Sequence, residues 1–214
     1  SISFQFIGTH LSNAHTGALI TSTTPAFMVI FAWLILKEKL TVAKLVSVMI
    51  ATLGVIIVIG WDVGVGSFFK GSLFLMGAAM TWSLMSVYVK VASERFSALE
   101  ITTYAMLFAL IFTTPMMFWE LLTYSIVLNG FIMLGVLYLG TVSTAGAFFL
   151  WNKGLELIEA SIGSLFFFFQ PLVGAWLGWL LLDETLELSF YMGALCIFVS
   201  MIFVTFHSKQ FTHS

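Results

Sequence analysis

Charge is what this sequence has least of. Only 8% of its 214 residues are charged, where a soluble domain carries roughly a quarter, so a water-facing surface cannot be covered. A single cysteine, Cys196, excludes a disulfide framework and a cysteine-based metal site, and leaves a packing role. The net charge of −2 says nothing about partners, and the 8 basic residues, scattered singly, leave no nucleic-acid surface. No G-x-x-x-x-G-K-[ST] loop is present, so ATP drive within this chain has no support. His10 and His15 are too isolated to suggest a metal, and His207 and His213 belong to the tail.

What is present is apolar length. Sixty per cent of residues are hydrophobic and the mean hydropathy is +1.08. Runs long enough to cross a bilayer, about 20 residues each, recur near 17–36, 42–60, 71–92, 99–119, 129–151, 161–182 and 188–207. They are far longer than strands and lack two-residue alternation. The expected fold is an all-α integral membrane bundle with about seven complete spans, its partner the lipid bilayer. No cleavable signal is visible. The opening SISFQFIG is too short to span and reads as the tail of a helix that begins earlier.

Basic residues orient the bundle. If the spans alternate, Lys37, Lys39, Lys44, Lys90, Arg95, Lys153 and Lys209 share one side and only Lys70 lies on the other. Cytoplasmic loops are enriched in Lys and Arg, so that side and the C-terminus are expected in the cytoplasm. The acids split evenly, with Asp62, Glu120, Asp183, Glu184 and Glu187 outside.

One passage is written twice. PAFMVIFAWLILKEKL (25–40) and PLVGAWLGWLLLDETL (171–186) match in Pro, Trp, Leu and Glu at an offset of 146. Gly8, Leu11, Ala14, Gly17 and Leu19 likewise fall on Gly154, Leu157, Ala160, Gly163 and Leu165. Five span lengths separate the copies, an odd number, so they should cross in opposite directions. Two similar units of opposite topology are the mark of inverted-repeat transporters, which bind substrate near the midplane between repeats.

The small-residue helix, the proline about halfway, the Trp, the Leu-rich turns and the Glu before the next helix resemble the EamA family of the drug/metabolite transporter superfamily. The likeness also covers GAAMTWSLMSVYVKVAS (77–93), YLGTVSTAGAFFLWNKGLELIEASIGSLFFFFQPLVGAWLGWLLLDETL (138–186) and MGALCIFVSMIFV (192–204). The resemblance implies ten helices in two inverted five-helix repeats with both termini cytoplasmic, in a bacterial inner (plasma) membrane. This chain would supply the end of helix three through helix ten. It divides into 1–63, the later part of the first repeat; 64–70, a joining loop; 71–207, a complete second repeat; and 208–214, a tail. The family carries amino acids, nucleotide-like metabolites, sugars and drugs, so the resemblance names no single solute.

Polar groups at membrane depth are the candidates for a substrate path. Thr21, Ser22, Thr23 and Thr24 precede Pro25, which cannot donate a backbone hydrogen bond; their hydroxyls either line a path or bond back to carbonyls one turn earlier. Gln170, at the equivalent place before Pro171, either touches substrate or bonds another helix. Many relatives carry Glu there, and the neutral Gln weakens a proton relay at this site. Trp82, Tyr88, Trp151 and Asn152 lie where the resemblance places cavity-lining helices. For Trp82 packing competes with ligand stacking; Tyr88 and Trp151 suit the interface, and Asn152 a helix end. Trp33 and Trp179 read as interfacial belt residues.

The remaining conspicuous residues read as structural. Glu38 and Glu184 each precede a helix whose positive N-terminal dipole a carboxylate complements. Glu120 reads as a solvated boundary residue. Gly174 with Gly178, and Gly135, Gly140 and Gly146, suit close helix packing in lipid. Gly64 and Gly66 suit a hinge.

The expected function is a secondary transporter of small organic metabolites by alternating access, needing no cofactor or metal. An integral-membrane enzyme is the rival, but no Asp, Glu or His lies convincingly mid-span to supply chemistry. A remnant without transport is the other rival, unless a homodimer supplies the missing wall. Impermeant-reagent labelling of single cysteines should place the Lys37–Lys39 turn and the Asp183–Glu184 turn on opposite membrane faces; labelling from one face would remove the inverted-repeat reading.

Overall fold

The computed structural model describes residues 1–12, 17, 20–59, 69–123, 129–182 and 188–210. Asp62, Gly64, Gly66, Asp183, Glu184, Glu187, His15 and His213, all singled out above, lie outside them, as do the side chains of Glu120 and Lys209 and the surroundings of Gly178. The described residues form α1 (Ile2–Leu11), α2 (Thr24–Ile35), α3 (Val42–Ile59), α4 (Phe69–Ala92), α5 (Ala98–Thr123) and α6 (Gly130–Tyr138). A π-helical stretch, Leu139–Gly146, leads into α7 (Ala147–Leu157) and α8 (Ala160–Gly163). A 3₁₀ turn, Ser164–Phe168, then joins α9 (Phe169–Leu182), followed by α10 (Leu188–Gln210). No strand occurs among the described residues.

The fold is all-α and membrane-spanning. Six described helical stretches are long and apolar enough to cross a bilayer: Val42–Ile59, Phe69–Ala92, Ala98–Trp119, Gly130–Leu157, Ala160–Leu177 and Leu188–His207. The run expected at 17–36 contains the shorter apolar helix Thr24–Ile35. The last helix runs on to Gln210, so His207 belongs to it rather than to a tail. Its Nδ1 lies 3.1 Å from the Phe203 carbonyl one turn back.

Packing divides the chain into two compact units, Ser1–Val87 with Glu159–Ser214, and Tyr88–Ile158. This partition differs from the repeat division because packing groups helices in space, whereas the repeats follow internal similarity. In the first unit Ala51 and Val55 of α3 join Leu165, Phe168, Leu172, Ile197 and Val204 in one apolar core.

Glycines set the closest approaches there. A Cβ on Gly54 would meet the Gly193 carbonyl at 2.8 Å, and one on Gly193 would run into the Gly54 carbonyl. α1 lies on α4 in the same way, through Gly8 and Gly71. In lipid, where apolar burial does not pull helices together, such backbone proximity does. The glycines marked from sequence behave differently: Gly135, Gly140 and Gly174 meet nothing within 4 Å. Spacing along one helix cannot say which face a neighbour occupies.

The second unit pairs α5 with α7. Ser97 and Glu100 open α5 with a capping box: the Glu100 carboxylate accepts from the Ser97 amide at 2.8 Å, and the Ser97 hydroxyl accepts from the Glu100 amide at 3.3 Å. Asn129 caps α6 by accepting from the Ile132 amide at 2.8 Å. Within the π-helical stretch the Thr144 hydroxyl donates to the Leu139 carbonyl five residues back at 2.6 Å. Such widened turns concentrate at functional places, and nothing in the sequence marked this one.

Leucine at Gly54 or Gly193 should destabilise the protein by about 1–3 kcal/mol or more through overpacking. Gly135→Ala, made in open space, should stay within about 0.5 kcal/mol of the parent. Thermal unfolding in detergent measures both.

Candidate functional site

Pro25 creates the first feature of the site. It has no N–H, so the carbonyl four residues earlier, that of Thr21, loses its helical donor. The Thr24 hydroxyl takes that place and donates to the Thr21 carbonyl at 2.6 Å. The Thr21 hydroxyl in turn donates to Gly17 at 2.8 Å, and that of Thr23 to Ile20 at 2.6 Å. These three hydroxyls therefore bond back along their own helix, as one of the two readings had it. What Thr24 still presents is oxygen lone pairs, so it can accept from a ligand while its proton is engaged. Ser83 of α4 fixes the start of α2, donating to the Thr24 carbonyl at 2.9 Å and to Ala79 at 2.8 Å.

A cavity of about 140 Å³ opens beside this turn, lined by Ser1, Gln5, Thr21, Thr24, Ala78, Ala79, Trp82, Phe167 and Gln170. Ala78 and Ala79 are small and leave the space. The Trp82 ring meets Phe167 edge to face, with centroids 6.0 Å apart and planes at 89°, so it packs and lines the cavity at once. Gln170 is exposed and lines the cavity. None of the described lining side chains is acidic or basic. Two amide residues, three hydroxyl-bearing residues and an aromatic wall can recognise a neutral solute with donors and acceptors; these side chains offer nothing to balance a net charge.

A second polar centre involves the ends of α2 and α8. The Glu38 carboxylate accepts from the Ala160 amide at 2.8 Å, the Ser161 amide at 3.1 Å and the Ser161 hydroxyl. Lys44 Nζ stands 3.6 Å from Glu38 and 2.6 Å from Glu159. The side chains of Lys44 and Glu38 are only 6% and 11% exposed, against 51% for Glu159, so solvent screens the shorter pair far more than the longer one. The sequence expectation was that Glu38 complements the helix it precedes. The structure corrects this: its carboxylate serves the amides at Ala160 and Ser161, because Lys37 adopts a left-handed conformation, φ 56°, and turns the chain across.

The sequence matches the EamA-like transporter family over residues 1–60 and 69–206. The chain belongs to that family. It is 26% identical over 208 residues to the uncharacterized transporter YetK of Bacillus subtilis, covering 95% of this chain and 63% of YetK. It is 25% identical to the uncharacterized transporter YoaV of the same organism, covering 88% of this chain and 65% of YoaV. The chain thus spans just under two thirds of the length of those two relatives. A shorter permease-like protein, YdzE of Bacillus subtilis, is 56% identical over 68 residues, 32% of this chain and 87% of YdzE. A solved crystal structure shares the fold, with a TM-score of 0.82 at 19% identity, over 94% of this chain and 72% of that one.

Of the residues expected on the substrate path of this EamA chain, the fold gathers Thr21, Thr24, Trp82 and Gln170 about one cavity. Ser22 and Thr23 are half-buried in the turn before α2 and are not among its lining. Tyr88, Trp151 and Asn152 belong to the other compact unit. Tyr88 is exposed and Trp151 half-buried. Asn152 lies inside α7, not at its end, and its Nδ2 donates to the Thr102 hydroxyl at 2.9 Å. That interhelical bond replaces the expected capping role.

Gln5 and Phe167 were missed. The internal repeat held the signal: at the offset of 146, Gln5 corresponds to Trp151 and Phe167 to Thr21, both already candidates. Thr24→Val should cost about 1 kcal/mol by leaving the Thr21 carbonyl without a donor, while Thr24→Ser should behave like the parent; thermal unfolding of the purified protein distinguishes them.

Proposed function

We propose that this protein is a secondary transporter that carries a small, uncharged organic solute by alternating access between two inverted repeats. The observation that carries the reading is the cavity in which Thr24 and Gln170, the residues preceding the two equivalent prolines, both take part. A site built from corresponding positions of two repeats is where a carrier of this architecture binds its cargo. The solute class follows from the lining. Gln5 and Gln170 offer amide donors and acceptors, Thr24 offers an acceptor, and Trp82 with Phe167 offers an aromatic wall for a planar group. A net charge would be held there without a counter-charge from these residues, at a high desolvation cost. The membrane is taken to be the bacterial inner (plasma) membrane, with the Lys-rich turns and the C-terminus cytoplasmic.

The test is flux of metabolites into proteoliposomes containing the full-length protein. Gln170→Ala and Trp82→Ala should each raise KM about tenfold, the effect of losing roughly 1.4 kcal/mol of contact, with unchanged insertion and with neutral solutes preferred over charged analogues. Parent-like flux in both variants would remove these residues from the site.

A further inference from the structure

We propose that Glu38, with Lys44 and Ser161, is a clasp that closes one end of the substrate path and opens in each transport cycle; this rests on the transporter reading above. The argument begins with direction. α2 starts at Thr24, on the cavity, and ends at Ile35, three residues before Glu38. The facing segment starts at Ala160 and Ser161, on the Glu38 carboxylate, and reaches Phe167 and Gln170 on the cavity. The two segments therefore run antiparallel, sharing the cavity at one end and the carboxylate at the other. The 12 residues of α2 put about 18 Å between those ends.

The clasp is built to a specific position. Leu36 and Glu38 both donate their amides to the Ala32 carbonyl, at 3.0 and 3.3 Å, so the chain folds back over the end of α2 through a left-handed residue. That residue is Lys37, so a strained backbone fixes where Glu38 goes. Its carboxylate then holds three donors from a segment more than 120 residues away, and Lys44 supplies the positive charge. Segments joined this way cannot separate at that end without breaking these bonds.

Polar bonds suit a joint that must part repeatedly. When it opens, the carboxylate, the ammonium and the freed amides can all take water in their place, so each bond contributes only a small net difference between the states. Two arrangements of similar free energy are what a population shift by substrate requires.

The test uses the full-length protein with Cys196→Ala, in proteoliposomes, and an added Ala78→Cys as a reporter in the cavity. A charged, membrane-impermeant maleimide is applied from the side bearing the Lys37–Lys44 turn. Glu38→Gln should speed labelling about 5- to 150-fold, the range of ordinary conformational coupling, and Ser161→Ala should shift it less in the same direction. Unchanged labelling in Ser161→Ala, together with unchanged labelling or failed insertion of Glu38→Gln, overturns the clasp. In a second arm, Glu38→Cys with Ser161→Cys is cross-linked: flux should stop and return with reductant, and continued flux when cross-linked also overturns it. If the parent moves no solute, the transporter reading fails, while the labelling arm still reports on the clasp.

Discussion

A polar group inside a bilayer has no water to turn to, and nearly everything in this structure follows from that. Backbone amides and carbonyls must pair within their own segment, which makes every described span a helix. Many hydroxyls do the same: Thr52, Thr81, Thr102 and Thr205 each donate to a carbonyl one turn back, at 2.7 Å in each case, although the buried Ser47 hydroxyl does not. A chain that satisfies its polar groups this way leaves few to meet a solute. Polar residues gathered about one small cavity are therefore informative.

The two equivalent prolines show the constraint answered in two ways. Before Pro25 a threonine is short enough to reach the orphaned carbonyl, so the turn is healed from within. Before Pro171 the chain tightens into a 3₁₀ turn, Ser164–Phe168, and the residue in the matching place is a glutamine whose amide lines the cavity. One repeat contributes repaired backbone and lone pairs; the other contributes a full amide. Matching stretches of sequence thus bring different chemistry to one cavity.

Glu38 and the glycine pairs divide the work of holding helices together. Gly54 against Gly193 brings two backbones to a distance that admits no side chain, a contact with one good arrangement. The Glu38 joint is made of bonds that water can replace. The first kind fixes one arrangement; the second is held by bonds that water can exchange.

Composition and periodicity determined that the chain is helical and crosses a membrane, since 8% charge cannot clothe a soluble surface and the runs are too long for strands. The internal repeat, with its offset of 146, marked Thr24 and Gln170 as counterparts, because homology survives in residue type and order. Tertiary structure alone decided which candidates meet. Asn152 bonds Thr102, Gln5 lines the cavity, and the closest helix approaches fall at Gly54 with Gly193 and at Gly8 with Gly71. It also decided that Glu38 reaches Ala160 rather than its own next helix. Sequence records which residues a helix carries; which face meets a neighbour depends on how helices rotate and cross, and lipid, accepting any apolar face equally, leaves that choice to packing.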